Sequence, residues 1–193
     1  MSTQMLTDDR ILSLHFNGEK GAIDHLFSRY HKKLLTSIYF MLRCEASAKD
    51  VLQETYIKAL RTINSGRYKD DGRFYQWIAR IAHNHCIDQI RKKKRRPQKI
   101  RDDKDIVIRH LQDNVLNHED QWILDEKCYQ VRRLIDALPE NQKEVVIMRH
   151  YMELSFKEIA DMTEVSINTA LGRMRYALKN LKKMIEENKI QIE

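Results

Sequence analysis

The chain has few of the residues that interrupt helices: its 193 residues include only 5 glycines and 2 prolines. It also lacks the alternating β-branched runs that mark strands, and the two absences together predict an almost wholly helical protein. Cysteine is scarce too. Cys44, Cys86 and Cys128 are far apart and odd in number, which argues against a disulfide framework and fits reduced thiols in the cytosol. No apolar run approaches membrane-spanning length, and the N-terminal MSTQMLTDDRILSL carries acids where a signal peptide needs bases. A soluble, cytoplasmic protein is expected.

Chemistry is also thinly represented. Carboxylates are plentiful, but no glycine-rich phosphate loop and no nucleophile elbow accompany them, so hydrolysis and nucleotidyl transfer are not expected. His83, His85 and Cys86 stand together, yet helical geometry sends His85 away from the other two and no further Cys or His cluster completes four ligands. The expectation is no catalytic residue, no metal, no cofactor and no small-molecule substrate.

What the sequence does contain is an uneven positive charge, +7 in total. The stretch RFYQWIARIAHNHCIDQIRKKKRRPQKIR, residues 73–101, places Phe74, Ile78, Ile81 and Ala82 on one apolar helix side. Arg73, Trp77, Arg80, Asn84, Arg91 and Arg95 recur at steps of three, four and seven and share the neighbouring stripe. Such a stripe suits nucleic acid: the cations meet phosphates, and the indole can stack on an unpaired base. A solvated basic face with Trp77 in the core is the alternative, about equally favoured by this stretch alone.

Taken in order, Thr7 with Asp8 and Asp9 predicts a helix start, and the helix stops near Gly18. A second helix from about Gly21 turns Ile23, Phe27, Tyr30, Leu34, Ile38 and Met41 inward. Ser47 and Asp50 resemble a capping box for a third, with Leu52, Tyr56, Ala59 and Ile63 inside and Asp50, Gln53, Glu54 and Lys58 outside. Residues 64–72, NSGRYKDDG, form a loop before the basic helix, which ends at Pro97. An N-terminal bundle of about four helices follows from these lengths.

Charge then changes sign. DDKDIVIRHLQDNVLNHEDQW is mostly acidic and only weakly periodic, and reads as a linker. Helical spacing returns at Leu124, Cys128, Val131, Ile135 and Leu138, and Pro139 is expected in the first turn of the next helix. Ser155 and Glu158 make a capping box for a short helix with Ile159 and Ala160 inside. A turn at Thr163, Glu164 and Val165 leads to Ser166, which caps a longer helix that buries Ala170, Met174, Ala177, Leu181 and Met184. Two helices joined by so short a turn, the second rich in Arg and Lys, form a helix-turn-helix pattern. Its N-terminal residues Asn168, Thr169, Leu171, Gly172 and Arg173 are placed for base edges, and Arg175, Tyr176 and Lys179 for phosphates.

The two blocks together resemble the sigma-70 family of bacterial RNA polymerase initiation factors, in its extracytoplasmic-function (ECF) group. The residues that carry the likeness are Asp50, Gln53 and Glu54, then Trp77, Arg80-Ile81-Ala82, Asn84, Asp88 and Arg91, and the block from Leu138 to Leu181. The resemblance covers roughly residues 20–96 and 130–185. Two departures stand out: Glu164 occupies the turn position where the family usually has glycine, and Asn168-Thr169-Ala170-Leu171-Gly172-Arg173 replaces the usual Gly-Thr-Val-Lys/Arg-Ser-Arg.

The resemblance implies an all-α protein of two helical domains: a region 2-like bundle at 1–96, an acidic linker at 97–120 and a region 4-like helix-turn-helix domain at 121–193. Asp50, Gln53 and Glu54 would contact the β′ clamp helices of core RNA polymerase. Arg73, Trp77, Arg80, Asn84, Asp88 and Arg91, with the 64–72 loop, would capture and open the minus-10 element of promoter DNA. Ser166, Asn168, Thr169, Leu171, Gly172, Arg173, Arg175, Tyr176 and Lys179 would read the minus-35 element. The β flap of polymerase and an anti-sigma factor are further implied partners, and the linker would thread polymerase channels. The rival reading, a helix-turn-helix repressor or activator acting on duplex DNA without polymerase, explains residues 139–185 but leaves the first half unused.

Overall fold

A computed structural model describes residues 6–69, 71–95 and 130–188. Among them there is no strand, as the composition predicts. The helices are α1 (Asp8–Phe16), α2 (Ala22–Leu42), α3 (Glu45–Asn64), α4 (Phe74–Arg95), α5 (residues 130–136), α6 (Glu140–Val146), α7 (Phe156–Met162) and α8 (Ile167–Glu187). The chain forms two compact units, Met1–Lys104 and Asp105–Glu193. The predicted linker and the predicted inward positions Leu124 and Cys128 lie outside the described residues.

In the first unit α2 packs against α1, α3 and α4, and α3 against α4. Thr7 caps α1 by accepting the Arg10 N–H, and Asp8 in the first turn reaches across to α2. There it pairs with Arg29 and accepts the Tyr30 hydroxyl at 2.5 Å. Burial, reinforced by that carboxylate, pushes the Tyr30 phenol up to about 12. Gly21, with φ 81°, starts α2, and Leu26, Leu34, Ile38 and Phe40 are its deepest residues. The expected inward residues Phe27, Tyr30 and Met41 are only half-buried, because the seam of α2 runs closer to the Leu26–Leu34–Ile38 row. Phe27 instead stacks on Tyr56 of α3 at 4.4 Å, and its carbonyl accepts the Tyr56 hydroxyl.

Ser47 does not cap α3. The left-handed Arg43 (φ 56°) closes α2 so abruptly that Cys44 takes the cap position and Ser47 falls inside the first turn. The inner residues of α3 are Val51, Leu52, Thr55, Ala59 and Ile63, with Tyr56 at the edge. On α4, Phe74, Ile78 and Ala82 are buried as expected, joined by Tyr75, Ala79, His83 and Cys86, whereas Ile81 is half-exposed.

In the second unit α8 packs on α6 and α7. Pro139 stands just before α6 rather than in its first turn, since its ψ of 142° is extended. α6 continues into a π-helical turn, Ile147–Tyr151, closed by the Met152 N–H on the Ile147 carbonyl at 3.1 Å. Ile147, Met148, Met152 and Leu154 are all buried there. α7 opens with the predicted capping box: Glu158 N–H donates to Ser155 Oγ, and Ser155 N–H donates to Glu158 Oε2 at 2.6 Å. The turn after it is closed by the Val165 N–H on the Ala160 carbonyl at 3.0 Å, with Glu164 left-handed at φ 55°.

Candidate nucleic-acid and partner interfaces

The outer face of α3 is as patterned in the sequence: Asp50, Gln53, Glu54 and Lys58 are exposed. Ile57 between them is also 50% exposed, so the polar face carries one bare apolar residue. Glu54 Oε2 lies 3.4 Å from Nδ1 of the half-buried His85 on α4. Burial holds the His85 imidazole below its ordinary value and Lys58 adds to this, although Glu54 pulls the other way. Glu54 therefore faces an imidazole that is predominantly neutral near neutral pH.

The stripe on α4 is less uniform than its spacing predicts. Arg73, Asn84, Asp88, Arg91 and Arg95 are exposed, but Trp77 and Arg80 are half-buried, because α4 is packed by both α2 and α3. Asp88 and Arg91 sit 4.0 Å apart at the surface, a spacing that contributes little to stability. Trp77 is neither core nor bare. Its ring meets Tyr68 at 4.4 Å and Phe74 at 5.7 Å.

Tyr68 is the residue that the sequence reading missed. It is buried although Ser65, Gly66, Arg67, Lys69, Asp71 and Gly72 around it are exposed, and its edge also meets Phe74. Gly66 and Gly72 flank it at φ 70° and 71°, a conformation that favours glycine. The available signal was a lone aromatic between two glycines in a polar loop. His83 and Cys86 are buried while His85 is turned to α3, as helical geometry requires. Among the described residues no cluster of three metal-ligating side chains occurs.

On α8 the expected buried row holds at Ala170, Met174 and Ala177, with Leu181 and Met184 half-buried. Asn168, Leu171, Arg175, Tyr176 and Lys179 are exposed. Ser166 and Thr169 are exposed but engaged in the cap: Ser166 Oγ accepts the Thr169 N–H at 3.0 Å and lies 2.9 Å from Thr169 Oγ1. At 3.6 residues per turn, Asn168, Leu171, Gly172, Arg175 and Lys179 share a face. Arg173 does not. It lies three residues after Ala170 and four before Ala177, at the edge of the buried row, and is half-buried. A Cβ on Gly172 would meet nothing within 4 Å, so that face is open there. Ile167, the first residue of α8, is 46% exposed and was not singled out in the sequence.

Comparison with known proteins agrees with both units. Residues 26–96 match the family pattern described as sigma-70 region 2, and residues 128–181 that described as sigma-70, region 4. The chain is 31% identical over 197 residues to the ECF RNA polymerase sigma-E factor of Haemophilus influenzae, covering 97% of each. It is 27% identical over 187 residues to the RNA polymerase sigma-H factor of Pseudomonas aeruginosa, covering 93% of this chain and 94% of that one. Among solved structures, the sigma factor RpoE in complex with the anti-sigma factor NepR from Bartonella quintana has a similar fold, with a TM-score of 0.63 at 18% identity over 86% of this chain and 98% of that one. CnrH in complex with the cytosolic domain of CnrY gives a TM-score of 0.59 at 18% identity, over 92% of this chain and 96% of that one.

Proposed function

The chain belongs to the sigma-70 family, in its ECF group, and is an RNA polymerase sigma factor; from that premise we propose how its surfaces divide the work. Core RNA polymerase and promoter DNA are its partners, and the family is not known as enzymatic. The domains run 1–96, 97–120 and 121–193, with the middle segment passing through polymerase.

Asp50, Gln53 and Glu54 contact the β′ clamp helices. What supports this is that all three are exposed on one face of a helix whose other face is core. Reversal of exposed charges there can change binding without changing the fold. Arg73, Asn84, Asp88 and Arg91 line the path of the minus-10 strand, and the 64–72 loop receives a base that leaves the stack. Trp77 and Arg80 act from below: Trp77 is the support on which Tyr68 holds the loop. The exposed face of α8 reads the minus-35 element, with Asn168, Leu171, Gly172 and Arg175 toward bases and Tyr176 and Lys179 toward phosphates. Ser166 and Thr169 start the helix, and Arg173 serves at its edge. The β flap is the polymerase partner of this second domain. An anti-sigma factor is a further partner, since the Bartonella relative is seen bound to one. The protein acts in the cytoplasm, and no helix among the described residues is long and apolar enough to cross a membrane.

The observation that carries this reading is that each half of the chain presents its own matching surface in its own compact unit. The test is reconstitution with core polymerase. Stable association followed by transcription from a specific duplex promoter is expected, and mapping transcript starts after overexpression identifies that promoter. A helix-turn-helix repressor would bind duplex DNA alone and leave core polymerase without promoter specificity.

A further inference from the structure

The leading end of α8 has an unusual surface for a helix that reads DNA. Ile167 and Leu171, one turn apart, are 46% and 43% exposed, so two branched apolar side chains stand side by side in water. Asn168, Gly172 and Arg175 adjoin them on the exposed side. Gly172 has no side chain to keep another surface away, and the space above it is open. Arg175 and, further along, Lys179 are exposed on the same face, which selects a polyanion as the occupant.

A major groove offers one apolar feature to such a pair, the C5-methyl of thymine. We propose that Ile167 and Leu171 together form a thymine-methyl reader, and that this chain recognises one or two adjacent thymines in its minus-35 element through them. The proposal rests on the assignment of α8 to that element. It goes further in adding Ile167 as a specificity residue and in naming the group it recognises. The physical basis is transfer of a methyl from water into contact with two aliphatic side chains. Losing one such methyl should cost about fourfold in affinity, the equivalent of ~0.8 kcal/mol for one buried carbon.

The experiment uses holoenzyme made from the full chain and core polymerase, and selects duplexes from a library randomised through the minus-35 region. Thymine positions in the selected consensus are then replaced, one at a time, by deoxyuridine, which removes only the methyl. At one or two adjacent positions a loss of about fourfold is expected, and an Ile167→Ala/Leu171→Ala variant should no longer distinguish thymine from uracil there. As a gain-of-function arm, Leu171→Arg should shift the selected base from thymine toward guanine, whose N7 and O6 accept from arginine. The proposal is overturned if no selected thymine is sensitive to methyl removal, or if the double variant keeps the sensitivity. If the selected duplexes show no minus-35 preference at all, the assignment of α8 itself fails and the methyl reader with it. An intact preference without methyl sensitivity overturns the reader alone, and would leave the apolar pair to contact protein.

Discussion

Removing the Tyr68 ring tests whether the 64–72 loop works only when held down. Tyr68 is the one buried side chain among the described residues of that loop, and it meets two aromatic rings, Trp77 at 4.4 Å and Phe74 at 6.0 Å. Aromatic pairs of this kind contribute about 0.5–1.5 kcal/mol each beyond area burial, so the two together hold the loop by about 1–3 kcal/mol. That corresponds to a factor of ~5–150 in the ratio of held to released loop. If only the held loop accepts a base, the apparent affinity for the minus-10 strand falls with the held fraction. Tyr68→Ala should therefore weaken binding of holoenzyme to a fluorescent single-stranded minus-10 oligonucleotide by up to that factor. Tyr68→Phe, which keeps the ring, should lose little. Trp77→Ala should act through the same contact, so the double variant should be no weaker than the worse single one. Fully additive losses, or normal strand binding by Tyr68→Ala with strong loss in Trp77→Ala, would refute the reasoning and make the indole itself the stacking surface.

Three further outcomes are expected. Asp50→Lys/Glu54→Lys should change thermal stability by no more than about 0.5 kcal/mol, as is usual for exposed positions, while fluorescence titration shows at least a tenfold loss of affinity for core polymerase. Glu164→Gly should raise stability by up to about 1 kcal/mol in urea unfolding of the second unit's signal, because a non-glycine residue at φ 55° is disfavoured; a fall in stability would mean that the Glu164 side chain makes a contact worth more than the strain. His85, held below its ordinary 6.5 by burial, takes up a proton less readily folded than unfolded. Stability should therefore decline as pH is lowered through 6.5 toward the depressed value, and be independent of His85 above it. His85→Gln should flatten that part of the curve, and an unchanged slope would show that other groups set it.

The helix pattern was legible because local chemistry decided it. Thr7, Ser155 with Glu158, and Ser166 are caps in the structure as in the sequence. Ser47 failed because a cap depends on where the preceding helix releases the chain, and Arg43 in a left-handed conformation is not visible in a pattern of residue types. The candidate faces on α3 and α8 followed from periodicity alone. Periodicity could not show which members of the α4 stripe are covered by two neighbouring helices, so Trp77 and Arg80 came out as half-buried. Tyr68 was hidden for a related reason: a loop has no period, and a single inward side chain leaves no repeat to detect.

The π turn at Ile147–Tyr151 makes part of the second unit sensitive to length rather than to composition. One residue more than an α-helical turn is accommodated there, with the Met152 N–H reaching back five positions. Deleting any one of these residues would return the turn to ordinary α geometry and shift the phase of everything that follows by about 100°. Met152 and Leu154, both fully enclosed, would then be carried out of the core. The segment thus behaves as a fixed spacer between α6 and the DNA-reading helices. Residues may be exchanged within it, but the count must be kept, whereas the exposed loop ending at Gly72 can change length without rotating any buried residue of α4.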